Sequence, residues 1–380
     1  MKNDFLTYYG EKNISPVRQD ISDFRLHCRR REKLYRQLGL PFCLFKDKCI
    51  LEVGPGSGYN TLALLHRGGV KRIDLVEPNQ KGISDMQSLF DQYKINESMY
   101  KIFPIQIEEF QPESQYEIIL AEGFLHSIDN AQEIIGQLLH MLSDGGVLVI
   151  TCMDELSVFV EQIKRLVAHI YIEDVQSYEE QVNKLTLFFT AQMSGLKGMS
   201  RSIEDWVRDD ILNPAFQNDN LLSIGKVIEL LPNNIDVLGT SQNMFTDYSW
   251  YKDVLFDVKG DYLYQFKQKQ HNLMLVGERE TTIPIEINER INEIVKDIRD
   301  SSKTYERSWD WKEIITIIGK LSELESIVES INEKLFRFVQ DSRNILLHIK
   351  EGDFNIEEYQ VFFHAVGRTQ QYISLVKNKY

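Results

Sequence analysis

The stretch "ILEVGPGSGYNTLALL", residues 50–65, decides how the rest of the chain is read. Glycines stand at 54, 56 and 58, directly behind a carboxylate, Glu52. The apolar run "CILEV" leading into them reads as a buried strand, and "NTLALLHR" behind them reads as the opening turns of a helix. Glycine supplies positive φ and lets a backbone approach a ligand closely. A strand, a glycine turn and a helix N-terminus in succession make a site for a nucleotide cofactor. The spacing departs from the dinucleotide pattern G-x-G-x-x-G, because the third glycine comes one position early and Tyr59 stands where that pattern wants glycine. A pyrophosphate would also be repelled by Glu52, whereas a cationic cofactor would be favoured.

Moving outward, strand-like runs recur at 49–53, 72–77, 102–106, 116–121 and 146–151, with helical segments at 61–67, 81–93 and 131–142 between them. This alternation predicts a parallel sheet covered on both faces. "SDGG", residues 143–146, predicts a turn that launches the fifth strand.

On these residues the chain resembles the class I S-adenosylmethionine-dependent methyltransferases. "LEVGPGSG" looks like their motif I, E/D-x-G-x-G-x-G. The resemblance implies a Rossmann-like, doubly wound, seven-stranded α/β sheet and S-adenosyl-L-methionine as cofactor. That molecule carries an ammonium and a sulfonium, which suit the carboxylate at the turn. Cofactor contacts are implied for Glu52, Gly54, Pro55, Gly56, Gly58 and Asn60. Glu77, in "IDLVEPN", lies nineteen residues after Gly58 and matches the acid that binds both ribose hydroxyls, with Pro78 beside it. "PIQIEEF" matches the adenine-reading segment and points to Gln106 and Ile107; the family usually has Asp where Gln106 stands. "EIILAEGFLHSIDN" matches the fourth strand and the loop facing the methionine, which brings in Glu122, Gly123 and Phe124. The resemblance covers residues 48–152 closely and 235–278 loosely. A different nucleotide binder, or a methyltransferase fold without activity, remains an alternative.

Methyl transfer is an in-line displacement that needs alignment, exclusion of water and management of one proton. His126, just beyond the fourth strand, is the candidate catalytic proton acceptor. A helical insertion at 155–231 is expected to act as a lid over the acceptor. Within it "MSRSIEDWVRDDILNP" supplies Arg201 and Trp206 as substrate-binding candidates, with Arg208, Asp209 and Asp210 alongside. "MFTDYSWYKD" supplies Tyr248 and Trp250, flanked by Phe245 and Tyr251. The N-terminal segment, 1–47, is expected to cover cofactor and substrate, with Tyr9 and Arg18 facing the acceptor. Its helix carries Arg25, Arg29, Arg30, Arg31, Lys33 and Arg36. That row either recognises an anionic acceptor or pairs with the protein's own acids.

The expected domains are 1–47, a methyltransferase domain at 48–283 with its lid, and a C-terminal helical bundle at 284–380. Strands closing the sheet are expected at 235–240 and 272–278. Apolar residues from Ile317 through Leu321, Leu324, Val328, Ile331, Leu335, Phe338 and Ile345 to Ile349 form a seam for another helix. The partner is either 287–298 and 359–366 of the same chain, giving a monomer, or a second copy, giving a homodimer.

The chain has 380 residues and a formal net charge of −14, which argues against a nucleic-acid backbone as main partner. Its four cysteines show no metal spacing and read as reduced thiols, so no metal and a cytoplasmic location are expected. No run is long and apolar enough to span a membrane. The functions that remain are a methyltransferase for a polar small molecule or glycan-like acceptor at oxygen, a protein or nucleic-acid methyltransferase, and a cofactor-binding interaction protein.

Overall fold

The computed structural model describes residues 8, 19–193, 201–214, 221–247, 249–253, 258–351 and 356–379. They fall into two compact units. The first comprises Met1–Met153, Asn218–Leu263 and Gln370–Tyr380, and the second Asp154–Gln217 and Tyr264–Thr369.

The first unit is built on a seven-stranded sheet. Its strands are β1 (Cys49–Val53), β2 (Arg72–Val76), β3 (Tyr100–Phe103), β4 (Tyr116–Ala121), β5 (Leu142–Cys152), β6 (Ile235–Thr240) and β7 (Gln371–Lys377), in the order β3-β2-β1-β4-β5-β7-β6. β1 through β5 run parallel, and β7 runs antiparallel to both β5 and β6. The seven-stranded sheet is the one expected. β1 and β4 are nearly all buried and almost wholly apolar, as a parallel strand covered on both faces requires. Helices α1 (Phe24–Gln37), α2 (Tyr59–Arg67), α3 (Gln80–Gln92) and α4 (Ala131–Met141) belong to this unit. Asp23 caps α1 by accepting from the Leu26 N–H, and Asn79 caps α3 by accepting from Gly82.

The seventh strand is not where the sequence puts it. Residues 272–278 form no strand: part is a 3₁₀ turn, Gln270–Leu273, and Gly277 turns the chain at φ +89°. Val276 and Leu273 make single backbone bonds with Val366 and Arg368 instead of a ladder. The strand is supplied by "QYISLVK" at the end of the chain, which pairs on both edges, Ile373 with Ile150 and with Thr240.

The second unit is helical. α5 (Phe159–Tyr171), α6 (Tyr178–Met193), α7 (Ile285–Ser308), α8 (Trp311–Val328) and α9 (Glu333–His348) share one apolar core. The expected boundaries at 155–231 and 284–380 are corrected by this core, since Phe159 of α5 stacks edge-on against Phe338 of α9. The lid segment and the C-terminal helices are therefore one unit, and residues 218–263 and 370–379 go with the sheet. The apolar seam is split between α8 and α9. Ile317, Leu321, Leu324, Val328, Leu335, Phe338 and Ile345 are all buried, as are Ile291, Ile294 and Ile298 of α7. The seam is thus closed within one chain. Ser342, the one break in it, is buried and donates to the Phe338 carbonyl. Among the described residues no helix is long and apolar enough to cross a membrane.

Candidate cofactor site

The site sits at the carboxyl ends of β1, β2 and β4, where β1 lies between neighbours whose connections leave in opposite directions. The three glycines of the turn all have positive φ: +70° at Gly54, +56° at Gly56 and +77° at Gly58. A side chain at Gly54 would meet the Phe124 ring at 3.0 Å, and one at Gly58 would meet Met86 at 2.6 Å. Gly82 of α3 packs against the backbone of Gly56, so the turn is held close on that side too.

Three buried carboxylates surround this turn. Glu52, on β1, accepts a 2.7 Å hydrogen bond from the Thr61 hydroxyl. Glu77, just past β2, accepts from the Gly56 N–H and the Asn79 N–H, both at 2.8 Å. Glu122, just past β4, is met by Arg31 at 2.6 Å and by the Tyr35 hydroxyl at 2.6 Å. Burial raises the Glu52 pKa to about 7, helped by the nearby charge of Glu122. Burial also raises the pKa of Glu77, against the two backbone hydrogen bonds that favour its charge. Arg31 is the cation within this group, so the turn is ringed by more negative than positive charge. A ligand bearing positive charge would relieve that imbalance, and S-adenosyl-L-methionine, with its ammonium and sulfonium, fits the donor set. A side chain at Gly123, at φ +86°, would meet nothing within 4 Å, so the backbone there faces open space.

The other expected cofactor residues are placed as follows. Asn60 opens α2 and its side-chain oxygen accepts from Gln19 at 3.2 Å. Pro55 is buried in the glycine turn, and Pro78 follows Glu77 and is half-buried. Gln106 is exposed, whereas Ile107 is buried and its carbonyl accepts from Gln137 at 2.8 Å. His126 is buried in a 3₁₀ turn after β4, and its Nδ1 has no hydrogen-bond partner among the described residues. Burial pushes its pKa down to about 4, so the imidazole is neutral at neutral pH.

Each acceptor-side candidate has its own surroundings. Tyr9, Arg18 and Tyr248 lie outside the described residues. Trp206, expected as a wall for the acceptor, is instead buried in the helical core with its ring edge-on to Phe189. Val207 beside it is buried in the same core, so the indole is used for packing. Arg201 is bound to Asp209 at 2.9 Å, and Arg208 to Glu179 and Glu204. Trp250 is 58% exposed, with the Lys252 ammonium over its ring.

Tyr35 and Thr151 are not singled out by the sequence, and Arg31, expected only as one of the basic row, turns inward to join them. Arg31 donates to the Tyr35 hydroxyl at 2.8 Å as well as to Glu122. Burial and the nearby charge of Glu122 raise the pKa of Tyr372 on β7, and the Thr151 hydroxyl accepts from the Gly123 N–H at 3.0 Å. The available signal was spacing. His27, Arg31 and Tyr35 recur every four residues, so they share the inward face of α1, while the other arginines lie on different faces.

Residues 26–191 match the family model described as a methyltransferase domain. A curated tRNA U34 carboxymethyltransferase of Mannheimia succiniciproducens is 27% identical over 146 residues, covering 37% of this chain and 45% of its own. A second, of Glaesserella parasuis, is 27% identical over 105 residues, 28% of this chain and 32% of that protein. The chain thus spans less than half the length of these relatives. The solved structure of PKMT2 from Rickettsia typhi in complex with AdoHcy is 16% identical, with a TM-score of 0.42 over 63% of this chain and 49% of that one.

Proposed function

We propose that the chain, which carries a class I S-adenosylmethionine-dependent methyltransferase domain, moves a methyl group to a polar small-molecule or glycan-like acceptor at oxygen. The observation that carries the reading is the surplus of buried carboxylate around a three-glycine turn, with Glu52, Glu77 and Glu122 answered by Arg31. When bound, S-adenosyl-L-methionine supplies an electrophilic methyl on an excellent leaving group.

The chain's own residues then have three tasks. Glu77 offers two carboxylate oxygens, fixed by Gly56 and Asn79, to a vicinal diol. Glu52 and Glu122 offer negative charge to the cationic end, and Arg31 and Tyr35 hold Glu122 in one orientation. His126 is neutral and weakly basic, which suits accepting a hydrogen bond from an acceptor hydroxyl. It takes the proton as that oxygen loses electron density to the incoming methyl. None of the four cysteines, two of them buried, is in a disulfide, which supports a reducing, cytoplasmic setting.

A second reading has RNA as the acceptor. It is supported by the likeness to proteins named as tRNA carboxymethyltransferases and by a row of cations on α1 that have no ion-pair partner among the described residues. Incubation with methyl-tritiated S-adenosylmethionine and, separately, fractionated metabolite extract and tRNA tests both readings. Label in a small polar fraction supports the first and label in tRNA supports the second. Label in neither, with no S-adenosylhomocysteine formed, contradicts methyl transfer.

A further inference from the structure

We propose that the outer face of α1 is a docking strip for the phosphate backbone of an RNA strand; this rests on the second reading above, in which RNA supplies the acceptor. Arg25, Arg29, Lys33 and Arg36 recur at spacings of four, four and three, so they line one side of the helix. All four are exposed. Among the described residues none of them is ion-paired, although the chain carries a net charge of −14. Glu32, the acid nearest the row in sequence, is engaged by Arg67 at 3.1 Å. The acids of the described residues therefore leave the strip uncompensated.

The row is about 16 Å long, from eleven residues at 1.5 Å rise. A line of charge of that length matches a polymer of phosphates rather than one small anion. Three of the four cations are arginine, whose planar fork binds phosphate oxygens in pairs. A membrane surface is a poorer match. An interfacial helix needs a free apolar face, and here that face, with His27, Cys28, Arg31 and Tyr35, is buried in the protein. The acidic remainder of the molecule repels a polyanion elsewhere and so concentrates it here.

The helix also ties the strip to the cofactor site. From its inner face His27 donates to the Tyr59 carbonyl at 2.9 Å, at the end of the glycine turn, and Arg31 reaches Glu122. A strand held on the outer face is thereby fixed relative to the turn and to the end of β4.

The test uses the full chain and fluorescein-labelled, unfractionated tRNA in an anisotropy titration across salt concentrations. The variant carries Arg25→Gln, Arg29→Gln, Lys33→Gln and Arg36→Gln, all exposed, and its S-adenosylmethionine affinity by calorimetry reports that the site is intact. The strip predicts at least a tenfold loss of tRNA affinity and a salt dependence shallower by about 3 in the log–log slope, since each phosphate contact contributes about 0.7–0.9. Unchanged tRNA affinity in the variant, or no tRNA binding by the wild type at about 0.1 M salt, overturns the proposal. So does tighter binding to polyglutamate or to phosphatidylserine vesicles than to tRNA. If tRNA binds through the strip yet takes no tritium from labelled cofactor, the strip stands and the RNA-acceptor reading falls.

Discussion

Arg31 and Glu122, 91 residues apart in the chain, meet with a guanidinium nitrogen 2.6 Å from a carboxylate oxygen, and both side chains are less than a tenth exposed. The contact joins α1 to the end of β4. A buried pair of this kind contributes little net energy when whole, but removing one partner strands a charge in the interior. Arg31→Met is expected to lower stability by about 3–5 kcal/mol. Arg31→Met with Glu122→Gln is expected to recover part of that loss. Urea denaturation followed by circular dichroism checks both; equal stability of Arg31→Met and wild type would show that the pair does not hold α1 in place.

Glu52 is expected to make stability and S-adenosylmethionine affinity depend on pH. Its pKa is raised from an ordinary carboxylate value to about 7 in the folded protein. The folded state therefore holds a proton that the unfolded state has lost, and stability falls as pH rises from about 4.5 to 7. Cofactor affinity moves the other way. A cationic ligand favours the ionised carboxylate, so affinity for S-adenosylmethionine is expected to rise between pH 6 and 8 and to be nearly flat in Glu52→Gln. Calorimetric titrations at several pH values check this, and the same slope in both proteins would remove Glu52 from the site.

β7, Gln371–Lys377, lies inside the sheet. It is hydrogen-bonded to β5 on one edge and β6 on the other, and Ile373 and Leu375 are fully buried. Deleting residues 370–380 is expected to cost several kcal/mol and solubility, because β5 is left as an open apolar edge. Thermal unfolding and size-exclusion chromatography check it. A soluble, monomeric truncation with unchanged melting temperature would mean that the strand is dispensable.

Local signals in the sequence suffice to place the glycine turn. The glycines of residues 54–58 needed positive φ, and β1 ahead of them needed apolar residues on both faces; each requirement is met within a few residues of the turn. Long-range pairing was not legible. Residues 272–278 and Gln371–Lys377 are both short and largely apolar, and only the partners β5 and β6 select the second as the strand. Arg31 was read together with its neighbours as part of one basic row. Helical geometry instead turns it inward, toward a carboxylate that nothing nearby in the chain announces. Trp206 looked like an acceptor wall because it stands among charges, yet its burial is decided by α6, through Phe189.

The claim on which the account depends is that the buried acids around the glycine turn hold S-adenosylmethionine, and Glu77 gives the most direct measurement. Calorimetry of the wild type and Glu77→Ala with S-adenosylmethionine is expected to show one site per chain in the wild type. The variant is expected to bind more weakly by about 2–3 kcal/mol, roughly 30- to 150-fold, as two charge-assisted hydrogen bonds are lost. The same dissociation constant in both proteins, or no heat of binding in the wild type, would contradict it.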